Sequence, residues 1–318
     1  MTLSFATGFP ILILDMRYSG NGDMARQGGA GLQKLKDLIR GDELIVAPVV
    51  FNPIMARMAA EAGFKAIYLS GGTLGWVKCI TEANISVSEM SEVALDIKAT
   101  CKLPLVLDAG GGWGDPVHVH RTIALAEAAG FQGIEIEDQL LPRRMEHHVG
   151  IDHLVPTEFF IKKLKEALAA RTDPNLVIIA RTNARRAGGI DEAIRRSEAF
   201  AKAGADMVFC YTRNPEEARL VGERVPPPLM TFAPVDGFAT SKLSRADFVR
   251  LGFRLAASSG TAFAAMYKAV KQSYECLAAD KPDPFLGSGG GDAVMKAAQA
   301  TCGLDRLLEI ERRTMKEQ

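Results

Sequence analysis

The sequence predicts an α/β protein, a (β/α)8 barrel of the TIM type with a C-terminal helical extension. Three observations carry the prediction. Eight short runs rich in Val, Ile, Leu and Phe recur along the chain, each bounded by Gly, Pro or a charged residue, as strands buried on both faces are. Stretches with apolar residues at helical spacing lie between them, the alternation that builds a parallel sheet. One junction also repeats, an alanine-containing helix end followed by glycine and then a strand, at EAGF (61–64), AAGF (128–131) and KAGA (202–205). Glycine there supplies the left-handed residue that stops a helix.

In chain order the strands are LIVAPVV (44–50), AIYLSG (66–71), LPLVLDA (103–109), GIEIED (133–138), LVIIART (176–182), DMVFCY (206–211), LMTFA (229–233) and FRLAA (253–257). Helices are expected over 53–62, 117–129, 157–170, 190–203 and 215–224. The first strand–helix turn lacks the G-x-G-x-x-G of a dinucleotide-binding open sheet, and eight units suit closure. Residues 1–30, with SGNGD and RQGGAG, read as a flexible extension, 31–280 as the barrel and 281–318 as a helical tail. Helices are expected over 261–280 and, after the linker KPDPFLGSGGG, over 291–316. That tail is longer than a lone barrel needs, so it is expected to reach a neighbouring subunit.

Apolar residues make up 47% of the 318, enough for a sizeable core, and 38 basic residues balance 38 acidic ones. A net charge of zero argues against a nucleic-acid face or a polybasic membrane patch, while a small anionic substrate held by local charge fits. The five cysteines (Cys79, Cys101, Cys210, Cys276, Cys302) form no CxxC pair, so neither zinc nor a disulfide framework is indicated. Reduced thiols suit a cytoplasmic protein. The run FPILIL (9–14) is too short to span a membrane and lacks the basic region of a signal peptide.

Active groups of such barrels sit where strands end and loops begin. The second strand ends in Ser70-Gly71-Gly72, the third in Asp108, the fourth in Glu135, Glu137 and Asp138, the fifth in Arg181 and Asn183, the sixth in Tyr211. Asp108 and Glu137 are hard oxygen donors suited to magnesium, and carboxylates so close would repel without a cation between them. Arg181 offers a planar fork to a substrate carboxylate. The SGG stretch presents backbone N–H groups with little side-chain bulk, a cradle for an anion. The plainer alternatives are an acid that caps a helix, an Arg181 that only pairs with Glu137, and a GG that is only a turn.

AEAGFKAIYLSGG, LPLVLDAGGGWG, AGFQGIEIEDQ and IIARTNA, in that order, resemble the isocitrate lyase/phosphoenolpyruvate mutase superfamily, from about residue 32 to 277. The resemblance implies a barrel whose last helix is exchanged with a partner, in a homodimer or homotetramer. It also implies magnesium, with manganese as the alternative ion, a small keto or hydroxy acid ligand, and chemistry through a pyruvate-type enolate. By motif position, Tyr68, Ser70, Gly71, Gly72, Asp108 and Arg181 would face the substrate. Asp108 would hold the metal, with Glu137 on its waters and Glu82, in ITEANIS, beside it. Arg181 and Glu137 would belong to the catalytic set.

Departures sharpen the reading. The family's third strand carries D-x-D, where this chain has Asp108-Ala109-Gly110. Asn52 stands for an aspartate of the first loop, and Tyr211 for a glutamate of the sixth strand. The lyases' loop K-[KR]-C-G-H supplies a cysteine acid, and here LPRRMEHHVG (141–150) puts Met145 in its place. A thioether has no proton to give, so His147 or His148 is the candidate replacement. His118 and His120 read as surface groups, and His153 as an anchor of the loop. The expected activity is magnesium-dependent cleavage of a C–C bond in a small α-keto or α-hydroxy dicarboxylate. A P–C bond enzyme of the phosphonopyruvate kind, or a barrel that binds a keto acid without turning it over, is the alternative.

Overall fold

The computed structural model describes residues 34–258, 260–287 and 291–315. The expected N-terminal extension, 1–30, lies outside the described residues. A four-residue helix, α1 (Leu35–Leu38), precedes β1 (Ile45–Pro48) and α2 (Pro53–Glu61). There follow β2 (Ile67–Leu69), α3 (Gly71–Val77), α4 (Val87–Thr100), β3 (Leu105–Asp108), α5 (Pro116–Ala128) and β4 (Gly133–Glu137). The second half runs α6 (Thr157–Ala170), β5 (Val177–Thr182), α7 (Ala184–Lys202), β6 (Met207–Cys210), α8 (Pro215–Arg224), β7 (Leu229–Phe232), α9 (Arg245–Arg250) and β8 (Phe253–Ser258). Helices α10 (Thr261–Ala278), α11 (Gly291–Cys302) and α12 (Leu304–Thr314) complete the described chain.

All eight strands are parallel, in the order β1-β8-β7-β6-β5-β4-β3-β2. The ring closes at β1 and β2 through a bridge between Val49 and Tyr68, with Val50 N–H donating to the Tyr68 carbonyl at 2.9 Å. Side chains alternate along each strand. Ile67, Leu69, Leu105, Leu107, Ile134, Ile136, Ile178 and Ala180 face the helices, while Tyr68, Val106, Val177, Ile179, Phe209, Met230 and Leu255 fill the barrel interior. Leu35 plugs the interior's lower end. A Cβ on Gly133 would lie 2.6 Å from its Cδ2, so any side chain there would have to displace Leu35.

Seven strands fall within the sequence-predicted runs, trimmed by one to three residues where the ladder stops, and β8 runs one residue past its own, to Ser258, which pairs with Pro48. Gly63, Gly130 and Gly204 end their helices with φ of 82°, 83° and 102°, as the repeated junction predicts. Several elements differ, among them α1, α3 and α9, which lie outside the expected helices. Helix α7 begins at Ala184, ahead of residue 190, because the chain turns helical directly after Asn183 and breaks at Gly189 (φ 85°, ψ 179°) before resuming. The tail helix divides at Gly303, which is left-handed (φ 77°). Helix α4 went unread although Ser86 and Glu89 form a reciprocal capping box at its start. No described helix is long and apolar enough to cross a membrane.

Candidate active site

The same alternation brings the chemistry together. On β3, Asp108 follows Val106 by two, on β4 Glu135 and Glu137 share the inner face, and on β5 Arg181 follows Ile179 by two. The register sets Asp108 beside Glu135 and Glu137 beside Arg181. Asp138, one residue on, points the other way. It accepts from Thr182 Oγ1 (2.7 Å), Asn183 N–H (3.2 Å) and Arg196 Nη1 (3.0 Å), so it ties the strand ends to α7 rather than facing the mouth.

Arg181 is buried and held on every side. Nη1 donates to Glu135 Oε1 at 2.6 Å, and Nε and Nη2 both donate to Asn183 Oδ1 at 3.2 and 3.1 Å. Its guanidinium lies over the rings of Phe209 (4.9 Å) and Phe232 (5.3 Å), which meet each other edge to face. A guanidinium has five N–H bonds, and these contacts use three. One on each terminal nitrogen is left for the cavity that Arg181 lines. Glu135 Oε2 accepts from Tyr68 OH at 3.0 Å, so both its oxygens are engaged and it fixes the arginine. Burial, then the charge of Asp108, lifts the Glu135 carboxyl to about 8 against the pull of Arg181.

Asp108 accepts Gly71 N–H at 3.3 Å on Oδ2 and Gly110 N–H at 3.2 Å on Oδ1. Gly71 therefore spends its N–H on the carboxylate, and the SGG stretch is the first turn of α3. Ser70 caps that helix, its Oγ accepting Thr73 N–H at 3.3 Å, so its own O–H stays free to donate. Glu82 packs against Gly71, where a Cβ would lie 3.0 Å from its Cγ. Between Glu82 and Glu137 stands Arg143, a residue the sequence reading passed over. Its Nη1 is 2.7 Å from Glu82 Oε1, and its Nη2 is 2.7 Å from Glu137 Oε1.

Burial alone would raise Glu137, but Arg143 and Arg181 outweigh it and hold the carboxyl at about 2. Asn183 Nδ2 donates to its other oxygen. Glu82 fares differently. Burial, and then Asp108, push it up to about 8 despite Arg143.

The loop after β4 folds over this cluster. His147 Nδ1 lies 2.5 Å from Asp152 Oδ1, and its Nε2 lies 2.9 Å from Arg143 Nη2. Asp152 is the one acceptor at Nδ1, so the ring proton sits there and Nε2 carries the lone pair. Gln139 and Arg186 also donate to Asp152 Oδ1, at 2.9 and 3.2 Å. His147 and His148 both border a cavity of about 190 Å³ with Ser70, Gly72, Asp108 and Arg181. Burial, then the neighbouring His147 and Arg143, lower His148. Met145 is half exposed, 3.3 Å from Thr81 Oγ1.

The remaining sequence candidates make other contacts, and of them His118 lines a second cavity with Asp108, Glu82 and Arg143. Asn52 caps α2 by accepting Met55 N–H. His118 accepts Asp115 N–H, His120 pairs with Glu166, and His153 pairs with Glu146 of the loop. Asp152 and Lys163, which donates to Gly111 O at 2.9 Å, carried no local motif by which sequence could have found them.

A magnesium ion takes oxygen ligands, keeps several waters and needs one or two carboxylates directly. Asp108, Glu82 and Glu137 offer only oxygen, the donor set that such an ion takes, so the residues fit it. Among the described residues no three His, Cys, Asp or Glu side chains close into a ready cage, and Arg143 occupies the middle of the acids.

The phosphoenolpyruvate phosphomutase family profile matches residues 35–278. The chain is 33% identical over 237 residues to 2-methylisocitrate lyase of Aeropyrum pernix, covering 74% of this chain and 76% of that one. It is 29% identical over 284 residues to 2,3-dimethylmalate lyase of Eubacterium barkeri, covering 87% and 96%. Its fold overlays a phosphonopyruvate hydrolase solved with oxalate and Mg2+ at a TM-score of 0.78 and 30% identity, covering 89% and 99%. On the profile and on its strand-end residues alike, this chain belongs to the phosphoenolpyruvate phosphomutase family.

Proposed function

We propose that this protein is a magnesium-dependent carbon–carbon lyase or decarboxylase acting on a small α-keto or α-hydroxy dicarboxylate. The observation that supports it most is Arg181, a buried guanidinium that keeps two N–H bonds beyond those it spends on Glu135 and Asn183 and that lines one cavity with Asp108. Those two donors bind the substrate carboxylate in a planar fork. Ser70 Oγ–H and the start of α3 at Gly72 position the adjoining keto or alkoxide oxygen. Asp108, with Glu137 and Glu82 on its waters, would hold magnesium or manganese, which when bound supplies Lewis-acid stabilisation of the enolate oxygen. Glu137, kept ionised by its two arginines, also steadies Arg181 through Asn183.

His147 moves the proton. With an α-hydroxy substrate its Nε2, once clear of Arg143, takes the hydroxyl proton as the C–C bond breaks. Asp152 stabilises the imidazolium through Nδ1, and Nε2 returns that proton to the carbanion fragment. An α-keto substrate has no hydroxyl, and its enolate is protonated from solvent. The loop 139–155 excludes water while the enolate exists. The chain works in the cytoplasm, in keeping with five free thiols, and as a homodimer or homotetramer that exchanges its terminal helices.

A screen of keto acids, 2-alkylmalates and phosphonopyruvate with magnesium tests the reading. Pyruvate-type product from a C–C substrate, lost in Asp108→Asn, is expected. Turnover of phosphonopyruvate alone would move the protein to P–C chemistry.

A further inference from the structure

We infer that Arg143 is a positioning residue that stands beside Gly110 between the acids of the cluster, and that it competes with the divalent cation for them. The inference rests on the proposed metal-dependent reading and assigns a role to a residue outside it.

Gly110 carries the argument. A Cβ at that position would lie 3.0 Å from Arg143 Nη1, 3.9 Å from Glu137 Oε1 and 4.0 Å from Glu82 Oε1. A carboxylate built on residue 110 would therefore project into the space the guanidinium now fills. With glycine at 110, the point between the acids holds a positive guanidinium and no third carboxylate faces it. A guanidinium at that point disfavours a second cation there, because like charges a few ångströms apart in a buried site repel strongly.

The way Arg143 is held supports exchange. It sits 2.7 Å from two carboxylates, yet Glu137 Oε1 and Arg143 Nη1 and Nε are buried atoms without a well-aligned hydrogen bond. Charge keeps the guanidinium in place, not directional fit, and an ion of higher charge can supply the same field. Its one aligned bond inside the site is to His147 Nε2, which joins it to Asp152, Gln139 and Arg186 of the loop network. Withdrawal of Arg143 thus frees the Nε2 lone pair and loosens the loop in one move. Cation entry and loop release are coupled through this side chain.

Calorimetric titration of the full chain with MgCl2 alone, without substrate, reads the competition in four proteins. Arg143→Gln is expected to bind Mg2+ at least tenfold more tightly than wild type, and Arg143→Lys, which keeps the charge but loses the fork, to stay near wild type. Asp108→Asn is expected to bind none. Hydrogen exchange of the wild type should show amides of 143–150 exchanging faster once Mg2+ is added, a change that a purely structural arginine would not produce. An Arg143→Gln protein that binds no more tightly than wild type, with Asp108→Asn still silent, overturns the inference alone. Undiminished binding by Asp108→Asn overturns the metal reading beneath it.

Discussion

Arg181 shows how much of a site one side chain can require. Glu135, Asn183 and two aromatic faces fix the guanidinium before any ligand arrives, so little rotamer entropy is lost when a carboxylate binds. Lysine at this position would keep the charge and lose both the planar fork and the stacking. Arg181→Lys is expected to weaken oxalate binding in the presence of magnesium by about 2 kcal/mol, roughly thirtyfold, measured by calorimetry. Unchanged affinity would remove Arg181 from the site. Glu137 and Asp138 make the complementary point. They are adjacent and chemically alike, yet the pleat sends one to the barrel mouth and the other to α7, and only the first shares the inner face with Arg181.

At the scale of elements, α6 supports the glycine loop of β3 through Lys163, whose ammonium is buried and donates to Gly111 O. Burial lowers its pKa to about 8, against about 10.4 for an unfolded lysine. Below pH 8 both states hold the proton. Between roughly 8 and 10.4 only the unfolded chain does, so stability rises with pH across that window. Relative to Lys163→Met, the wild type should gain up to about 3 kcal/mol between pH 7.5 and 10.5, read from urea midpoints at the two pH values. A constant difference would show that the amine is not desolvated in the native state. The elements whose caps are spelled in sequence, Asn52-Pro53 for α2 and Asn214-Pro215 for α8, begin where those residues place them. The loop after β4 has no such signature, because its shape is set by ion pairs to residues far along the chain.

At the scale of the molecule, the helices after β8 stand apart from those of the barrel, α11 burying only Thr301 and α12 nothing. Helix α10 has no buried residue, and Tyr274, Leu277 and Phe285 are 69%, 75% and 75% exposed. Exposed apolar area of this extent marks an association surface. A second copy of the chain is the proposed cover. Tyr274→Glu with Leu277→Glu is expected to shift the sedimentation of the protein toward the monomer and to lower its melting temperature, since association stabilises by mass action. A wild type that sediments as a monomer at micromolar concentration would refute the exchange.

The sequence by itself determined the eight-strand rhythm, the glycine stops, and the positions of Asp108, Glu137 and Arg181 at strand ends. Strand periodicity and helix capping are local, so short stretches of residues carry them. Only the tertiary structure decided that Arg143 enters the acid cluster, that Asp152 orients His147, that Glu135 serves Arg181, and that Gly71 N–H is spent on Asp108. Each of these depends on groups 5 to 61 residues apart meeting in a site of low dielectric, where the balance of buried charge, not the local spacing of residues, selects the partner.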